Sequence, residues 1–157
     1  MGFTELNSVE HYIIHQMSGV NLNSVPENDQ VKEPHPQYVL DSEMQWQFQS
    51  PEQLGRGVNE VLIESVLVKA LVRLNPEIEA NPNFADEVID KLRAILISVN
   101  QVGLVKANEE FFKWLTGEKT MPFGENNRHV PVRLINFDDL TQNKYIVTNQ
   151  FRIHHRE

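Results

Sequence analysis

The sequence predicts an α+β fold, with about four helices followed by a β-hairpin. Apolar residues recur at helical spacing in four segments before residue 117. Residues 129–153 are instead rich in β-branched and aromatic residues, which strands favour. Hydrophobic residues make up 40% of the 157 residues, enough for one buried core. We therefore expect a single domain over residues 1–157.

The first helix is predicted from Asn7 to Ser18. Asn7 is a typical capping residue, and Glu10 is placed to reach back to the start of the helix in a variant of the capping box. Apolar side chains follow at helical spacing, and Gly19 is expected to end the helix. Residues 20–50 show no sustained period and contain several prolines and asparagines, which predicts a long irregular loop.

Three more helices are predicted after this loop. They cover Val58–Leu74, a segment beginning near Pro82, and Gly103–Thr116. Asn75-Pro76 ends the first of them, because a proline disfavours the helical conformation of the residue before it. A wide apolar arc on the first of these helices indicates that it buries more than one side.

Two strands are predicted at the end of the sequence, over His129–Phe137 and Lys144–Ile153. The six residues between them are typical of a turn, so we expect an antiparallel hairpin. Two strands cannot cover four helices, and an isolated hairpin is only marginally stable. We therefore expect further strands to follow in the natural protein.

The charge distribution gives two hypotheses about the last third of the chain. The net charge of −8 disfavours DNA binding by the chain as a whole, because neutralising phosphates requires clustered cations. Residues 113–157, however, contain seven basic and five acidic residues. They form either an ordinary mixed surface or the edge of a nucleic-acid interface. The candidate DNA contacts are Arg128, Arg133, Lys144, Arg152 and Arg156.

The absence of cysteine excludes disulfides, thiolate zinc sites and cysteine nucleophiles. It fits a reducing compartment, and no apolar run approaches the length of a membrane helix. We expect a cytoplasmic protein without a membrane partner. No glycine-rich phosphate loop is present, so the chain cannot bind ATP by that route.

Two groups of residues have both a metal-binding and a plainer interpretation. His11 and His15 share a helix face and could bind zinc, or could simply be solvated. Asp138-Asp139 could serve a metal or acid–base chemistry, or could hydrogen-bond its own turn.

Several segments, taken in order, resemble the N-terminal region of the R subunit of type I restriction-modification enzymes. Val132-x-Leu134-Ile135-Asn136-Phe137-Asp138, followed by Asn143-x-Tyr145-Ile146-Val147-x-Asn149-Gln150-Phe151-x-Ile153, shows the strongest likeness. Leu71-x-x-Leu74-Asn75-Pro76-Glu77 and Leu104-x-x-x-Asn108-x-x-Phe111-x-x-x-Leu115-x-Gly117 match as well. Asn136 departs from the acid usual in the family, and Phe112 from a frequent histidine.

The resemblance implies an incomplete nuclease domain of the PD-(D/E)xK type. In the family, the metal-binding acids and lysine lie on strands after the hairpin, which places them beyond Glu157. The sequence contains no Pro-Asp dipeptide and no Glu-x-Lys. The full-length subunit is expected to cleave DNA with Mg²⁺, to translocate it with ATP, and to act with modification and specificity subunits. The chain alone is expected to be inactive and to hold no cofactor.

The wider nuclease fold often adds a glutamate from its first helix. Glu10 is therefore a candidate metal ligand, with Glu5 second, although capping is the plainer role for Glu10. A competing hypothesis is a self-contained interaction module that docks modification subunits or another copy. A third is a metal-dependent enzyme using His11, His15 and Asp138.

Overall fold

The computed structural model describes residues 9–22, 46–57 and 60–149. Its contacts form two compact units, Met1–Glu60 with Lys144–Glu157, here called the terminal unit, and Val61–Asn143, the central unit. Helices and short strands together confirm the α+β class. The elements in chain order are α1 (His11–Ser18), β1 (Gln47–Phe48), α2 (Glu64–Leu74), α3 (Pro76–Ala80), α4 (Asn83–Val102), α5 (Leu104–Leu115), β2 (Thr120–Met121), β3 (Val130–Pro131) and β4 (Ile146–Val147).

Helix α1 ends where the sequence predicts. Gly19 adopts a left-handed φ of 72°, and its N–H donates to the carbonyl of His15 at 2.8 Å. The buried residues of the helix are Ile14 and Ser18, which lie one turn apart. Ser18 Oγ donates back to the Ile14 carbonyl at 2.7 Å, so its hydroxyl is satisfied inside the unit. The predicted cap at Asn7 lies outside the described residues.

Strand β4 pairs with β1, which lies about 100 residues earlier in the chain. The two strands are parallel, with Gln47 opposite Ile146. The Gln47 N–H donates to the Tyr145 carbonyl at 2.9 Å, and the rings of Trp46 and Tyr145 lie 5.2 Å apart. The predicted hairpin between residues 129–137 and 144–153 is therefore wrong among the described residues, since its second strand has a different and parallel partner.

Strand β3 also has a different partner from the one predicted, because it pairs with β2 in an antiparallel hairpin. Asn126 and Asn127 both have positive φ, 55° and 58°. The Arg128 N–H donates to the Glu125 carbonyl at 3.1 Å, which closes a type I′ turn. This turn matches the twist of two antiparallel strands and so selects residues 120–121 as the partner of β3.

The central unit packs its helices around one core. The residues with the least exposed surface come from α2, α3, α4 and the segment after β3, and they include Leu71, Ile78, Val88, Leu92 and Val132. Helix α4 begins directly after Pro82, as predicted, and α2 ends at the predicted Asn75-Pro76. Helix α2 begins at Glu64 rather than Val58, and α3 was not predicted. Within the described ranges, no helix is long and apolar enough to cross a lipid bilayer.

Candidate nucleic-acid interface

Arg128 follows the two left-handed asparagines at the turn of the β2–β3 hairpin. The sequence analysis selected it for its charge alone, and the structure places it at an exposed position. Its backbone is held on both sides, because its N–H donates to Glu125 and its carbonyl accepts from the Gly124 N–H at 2.9 Å. A Cβ added at Gly124 would lie 2.9 Å from that carbonyl oxygen, closer than real Cβ atoms come. Glycine at this position therefore permits the backbone to close around Arg128.

The base of the hairpin is part of the core. Met121, Phe123 and Val130 are all less than 9% exposed. The ring of Phe123 stacks on that of Phe84, with centroids 4.1 Å apart and planes within 4°. Contacts between aromatic rings stabilise such pairs beyond the area they bury. The turn thus projects from a packed base, so Arg128 belongs to an ordered structure.

Arg133, the second candidate, is held in place by a side chain from the end of α2. Asn75 is 4% exposed, and its Oδ1 accepts from the Arg133 N–H at 2.7 Å. Asn75 Nδ2 donates to the carbonyls of Arg133 and Leu71, both at 2.9 Å. The amide group therefore bonds residue 133 as a neighbouring strand would. The Arg133 guanidinium lies 3.3 Å from Asp138, in an exposed pair that contributes little stability.

Residues 134–143 form an irregular segment joined by a second amide pair. The Asn136 N–H donates to Asn143 Oδ1 at 2.9 Å, and Asn143 Nδ2 donates to the Asn136 carbonyl at 2.8 Å. Asn136 Oδ1 in turn accepts from the N–H groups of Asp138 and Asp139, both at 3.0 Å. The two bonds between the Asn136 backbone and the Asn143 side chain use groups that the predicted strand would have offered to a partner, which disfavours the predicted hairpin.

Asp139 of the acidic pair Asp138-Asp139 hydrogen-bonds its own turn, which is the plainer of the two roles considered. Asp139 accepts from the Thr141 hydroxyl at 2.6 Å and from the Thr141 N–H at 3.1 Å, which caps the short turn Leu140–Gln142. The hydroxyl bond, followed by the backbone bond, holds the pKa of the Asp139 carboxyl below its ordinary value. Asp138 faces Arg133. The Asp139 carboxylate therefore caps the turn, and the Asp138 carboxylate forms an ion pair.

The remaining basic candidates lie outside the central unit or outside the described residues. Lys144 is exposed and belongs to the terminal unit, directly before the tyrosine that contacts Trp46. Arg152 and Arg156 lie outside the described residues. The candidate interface of the central unit therefore consists of Arg128 and Arg133, which flank the two residues of β3.

The proposed metal ligands lie only partly within the described residues. Glu10 precedes α1 with helical dihedrals (φ −64°, ψ −47°), and its side chain does not cap that helix within the described residues. Glu5 lies outside them. His11 and His15 both belong to α1. Across residues 9–22, 46–57 and 60–149, no three histidine, aspartate or glutamate side chains come close enough together to hold a metal ion.

Comparison with known protein families gives a match over most of the chain. The family model described as the type I restriction enzyme R protein N terminus matches residues 27–157. The chain belongs to this family. No curated protein and no solved structure matches it. The resemblance drawn from the sequence is confirmed, and the matched range of this R protein family includes the asparagines that position Arg128 and Arg133. The match begins after α1, so it gives no support to a role for Glu10.

The sequence analysis missed the residues that position the two arginines. Asn126-Asn127 between two short β-favouring pairs is a recognisable signal for a type I′ turn, although a weaker one than Asn-Gly. Asn75 had been interpreted only as the end of a helix. No local pattern distinguishes that role from its second one, because its partner Arg133 is 58 residues away.

Proposed function

We propose that this chain is the N-terminal part of an R subunit which, at full length, cleaves DNA with Mg²⁺ and translocates it with ATP. The family match over residues 27–157 is the observation that supports this proposal. The proposal includes DNA contact through Arg128, Arg133 and Lys144, together with Arg152 and Arg156. It also includes a cytoplasmic location and assembly with modification and specificity subunits.

We further propose that the 157-residue chain does not cleave DNA by itself. Its sequence lacks Pro-Asp and Glu-x-Lys, the motifs expected of a PD-(D/E)xK site. Among the described residues, no three histidine, aspartate or glutamate side chains form a group that could hold a metal ion. No catalytic step is therefore assigned to them. Glu10, and after it Glu5, would at most complete a metal site whose other ligands lie elsewhere.

A comparison of two proteins tests this proposal. The first is the present chain, and the second is the product of the same gene continued beyond the codon for Glu157. Each is incubated with plasmid DNA, Mg²⁺, ATP and purified modification and specificity subunits, and EDTA is the control for the metal. We expect cleavage by the longer product alone. No cleavage by the longer product in the complete assembly would contradict the proposed nuclease, and cleavage by the present chain would contradict its inactivity.

An assembly function without catalysis is favoured by a different observation. The junction of α4 and α5 exposes aliphatic side chains: Ile97 is 73% exposed, Leu104 62% and Val105 71%. Residues 94–105 contain no charged side chain, in a chain with 23% charged residues. Exposed apolar groups that occur together are typical of protein interfaces. Under this alternative, Leu104→Lys would abolish association with the modification subunits in analytical ultracentrifugation, whereas Lys106→Glu on the same helix would preserve it.

A further inference from the structure

The β2–β3 hairpin presents an arginine on a short turn of left-handed backbone. We propose that this turn inserts Arg128 into the minor groove of duplex DNA. The inference rests on the proposed function, because it takes DNA as the substrate. It goes further by naming the contacting element and the groove.

The cations around the hairpin differ in whether they are bound to an acidic side chain. Lys119 is bound to Glu110, and this hydrogen bond holds the pKa of the Glu110 carboxyl below its ordinary value. Arg133 is paired with Asp138. None of the ion pairs among the described residues includes Arg128, which is exposed. Arg128 is therefore the cation of this hairpin that can meet a nucleic acid without first giving up an acidic partner.

The backbone of the turn is held by hydrogen bonds and by its packed base. The Gly124 N–H and the Arg128 N–H close two hydrogen bonds across it, and the base is fixed by the stacked Phe123. Asn126 and Asn127 occupy two successive left-handed positions, which a type I′ turn requires and which asparagine tolerates. Binding through such a turn loses little backbone entropy, because the backbone is already ordered.

The β2–β3 hairpin has a very short ladder, which limits how it can contact DNA. The β2–β3 ladder is only two residue pairs long, with Thr120 opposite Pro131 and Met121 opposite Val130. A ladder this short cannot lie along the major groove as a two-stranded ribbon does, so the turn itself must be the contacting part. A minor groove is about 6 Å wide, and its narrow A·T-rich form has a strongly negative potential that attracts arginine.

The neighbours of Arg128 suit the same groove. The side chains of Asn126 and Asn127 are exposed on the turn, and their amides can donate to the adenine N3 and thymine O2 acceptors that line it. With a net charge of −8, the chain gains little from general attraction to phosphates. Affinity should therefore depend strongly on this one arginine.

The test is binding of the 157-residue chain to labelled duplexes of about 20 base pairs, measured by fluorescence anisotropy at low salt. One duplex contains a central A·T tract, the second replaces it with G·C pairs, and the third replaces those with inosine·cytosine pairs. The inosine duplex has the major-groove pattern of G·C but lacks the minor-groove amino group. We expect the A·T and inosine duplexes to bind at least about fivefold more tightly than the G·C duplex.

Two variants assign the contact to Arg128. Arg128→Ala is expected to weaken binding to the A·T duplex about tenfold or more, and to reduce the dependence of log K on log salt by about one. Lys69→Ala, which removes an exposed cation from α2, is the matched control and should change affinity less than about twofold. Circular dichroism of both variants checks that they are folded.

Four results would overturn the inference. They are equal affinity for the three duplexes, an affinity for the inosine duplex as weak as that for the G·C duplex, an equal loss of affinity in the two variants, and no binding of any duplex. In the first three results the protein still binds DNA, so the proposed function stands while the inference fails. If nothing binds, the cleavage comparison of the longer gene product decides the proposed function separately.

Discussion

Replacing Asn75 with alanine removes three hydrogen bonds from a side chain that is 4% exposed. Each such bond contributes about 0.5–1.5 kcal/mol net, so Asn75→Ala should lower the free energy of unfolding by about 2–4 kcal/mol at pH 7. Urea unfolding followed by far-ultraviolet circular dichroism measures this change. Asn108→Ala, the same substitution at an exposed site on α5, is the control and should stay within about 0.5 kcal/mol.

Asn75→Asp gives a sharper test, because it keeps the size and shape of the side chain. The new group can still accept from the Arg133 N–H, but its second oxygen faces the carbonyl oxygens of Leu71 and Arg133, where an amide donated before. Burial and these two oxygens both raise the pKa of the introduced carboxyl above its unfolded value of about 3.9. Between these two pKa values, the folded state therefore binds more protons than the unfolded state.

It follows that the loss of stability in Asn75→Asp grows as the pH rises from about 4 to 7. At pH 7 the loss should exceed that of Asn75→Ala, because an unpaired buried charge costs more than missing hydrogen bonds. A loss below about 0.5 kcal/mol in Asn75→Ala, or a loss in Asn75→Asp that does not change with pH, would refute the assigned hydrogen-bond pattern.

Two further predictions concern the turns. Gly124→Ala places a Cβ 2.9 Å from the Arg128 carbonyl oxygen, so we expect it to lower the free energy of unfolding by about 1–3 kcal/mol in the same urea assay, and an unchanged value would contradict the close approach. Thr141→Val removes the hydroxyl donor to Asp139, so the pKa of that carboxyl should rise toward 3.8 in a carbon-13 titration. The parent chain should be more stable than Thr141→Val above the pKa that the Asp139 carboxyl has in the unfolded chain. This difference should vanish as the pH falls through the pKa of Asp139 in the folded chain. An unchanged pKa of Asp139 in the variant would contradict the role of the hydroxyl.

The helix ends in the central unit were predictable because their signals are local. Pro82 directly precedes α4, and Gly103 separates α4 from α5. The start of α2 was not predictable in this way. The Glu60 carboxylate accepts from the Gly57 N–H at 2.8 Å, and this local loop bond competes with the helix that apolar spacing favoured.

Strand pairing was the part that the sequence could not predict. The β-branched and aromatic residues of 144–153 correctly indicated a strand at Ile146–Val147, but the identity of its partner depends on a contact about 100 residues away. At the candidate site, composition alone selected Arg128 and Arg133. Their positions depend on amide side chains, and hydrogen bonds of this kind leave no periodic pattern in a sequence.

The parallel pairing of β1 with β4 has a consequence for the order in which the chain folds. The central unit is one continuous stretch, whereas the terminal unit is made from both ends of the chain. Closing a loop this long opposes early formation of the β1–β4 ladder, while the contacts of the central unit are closer in sequence. As the protein emerges from the ribosome, the helices of residues 61–143 can pack first, and β1 has no partner until β4 has been synthesised.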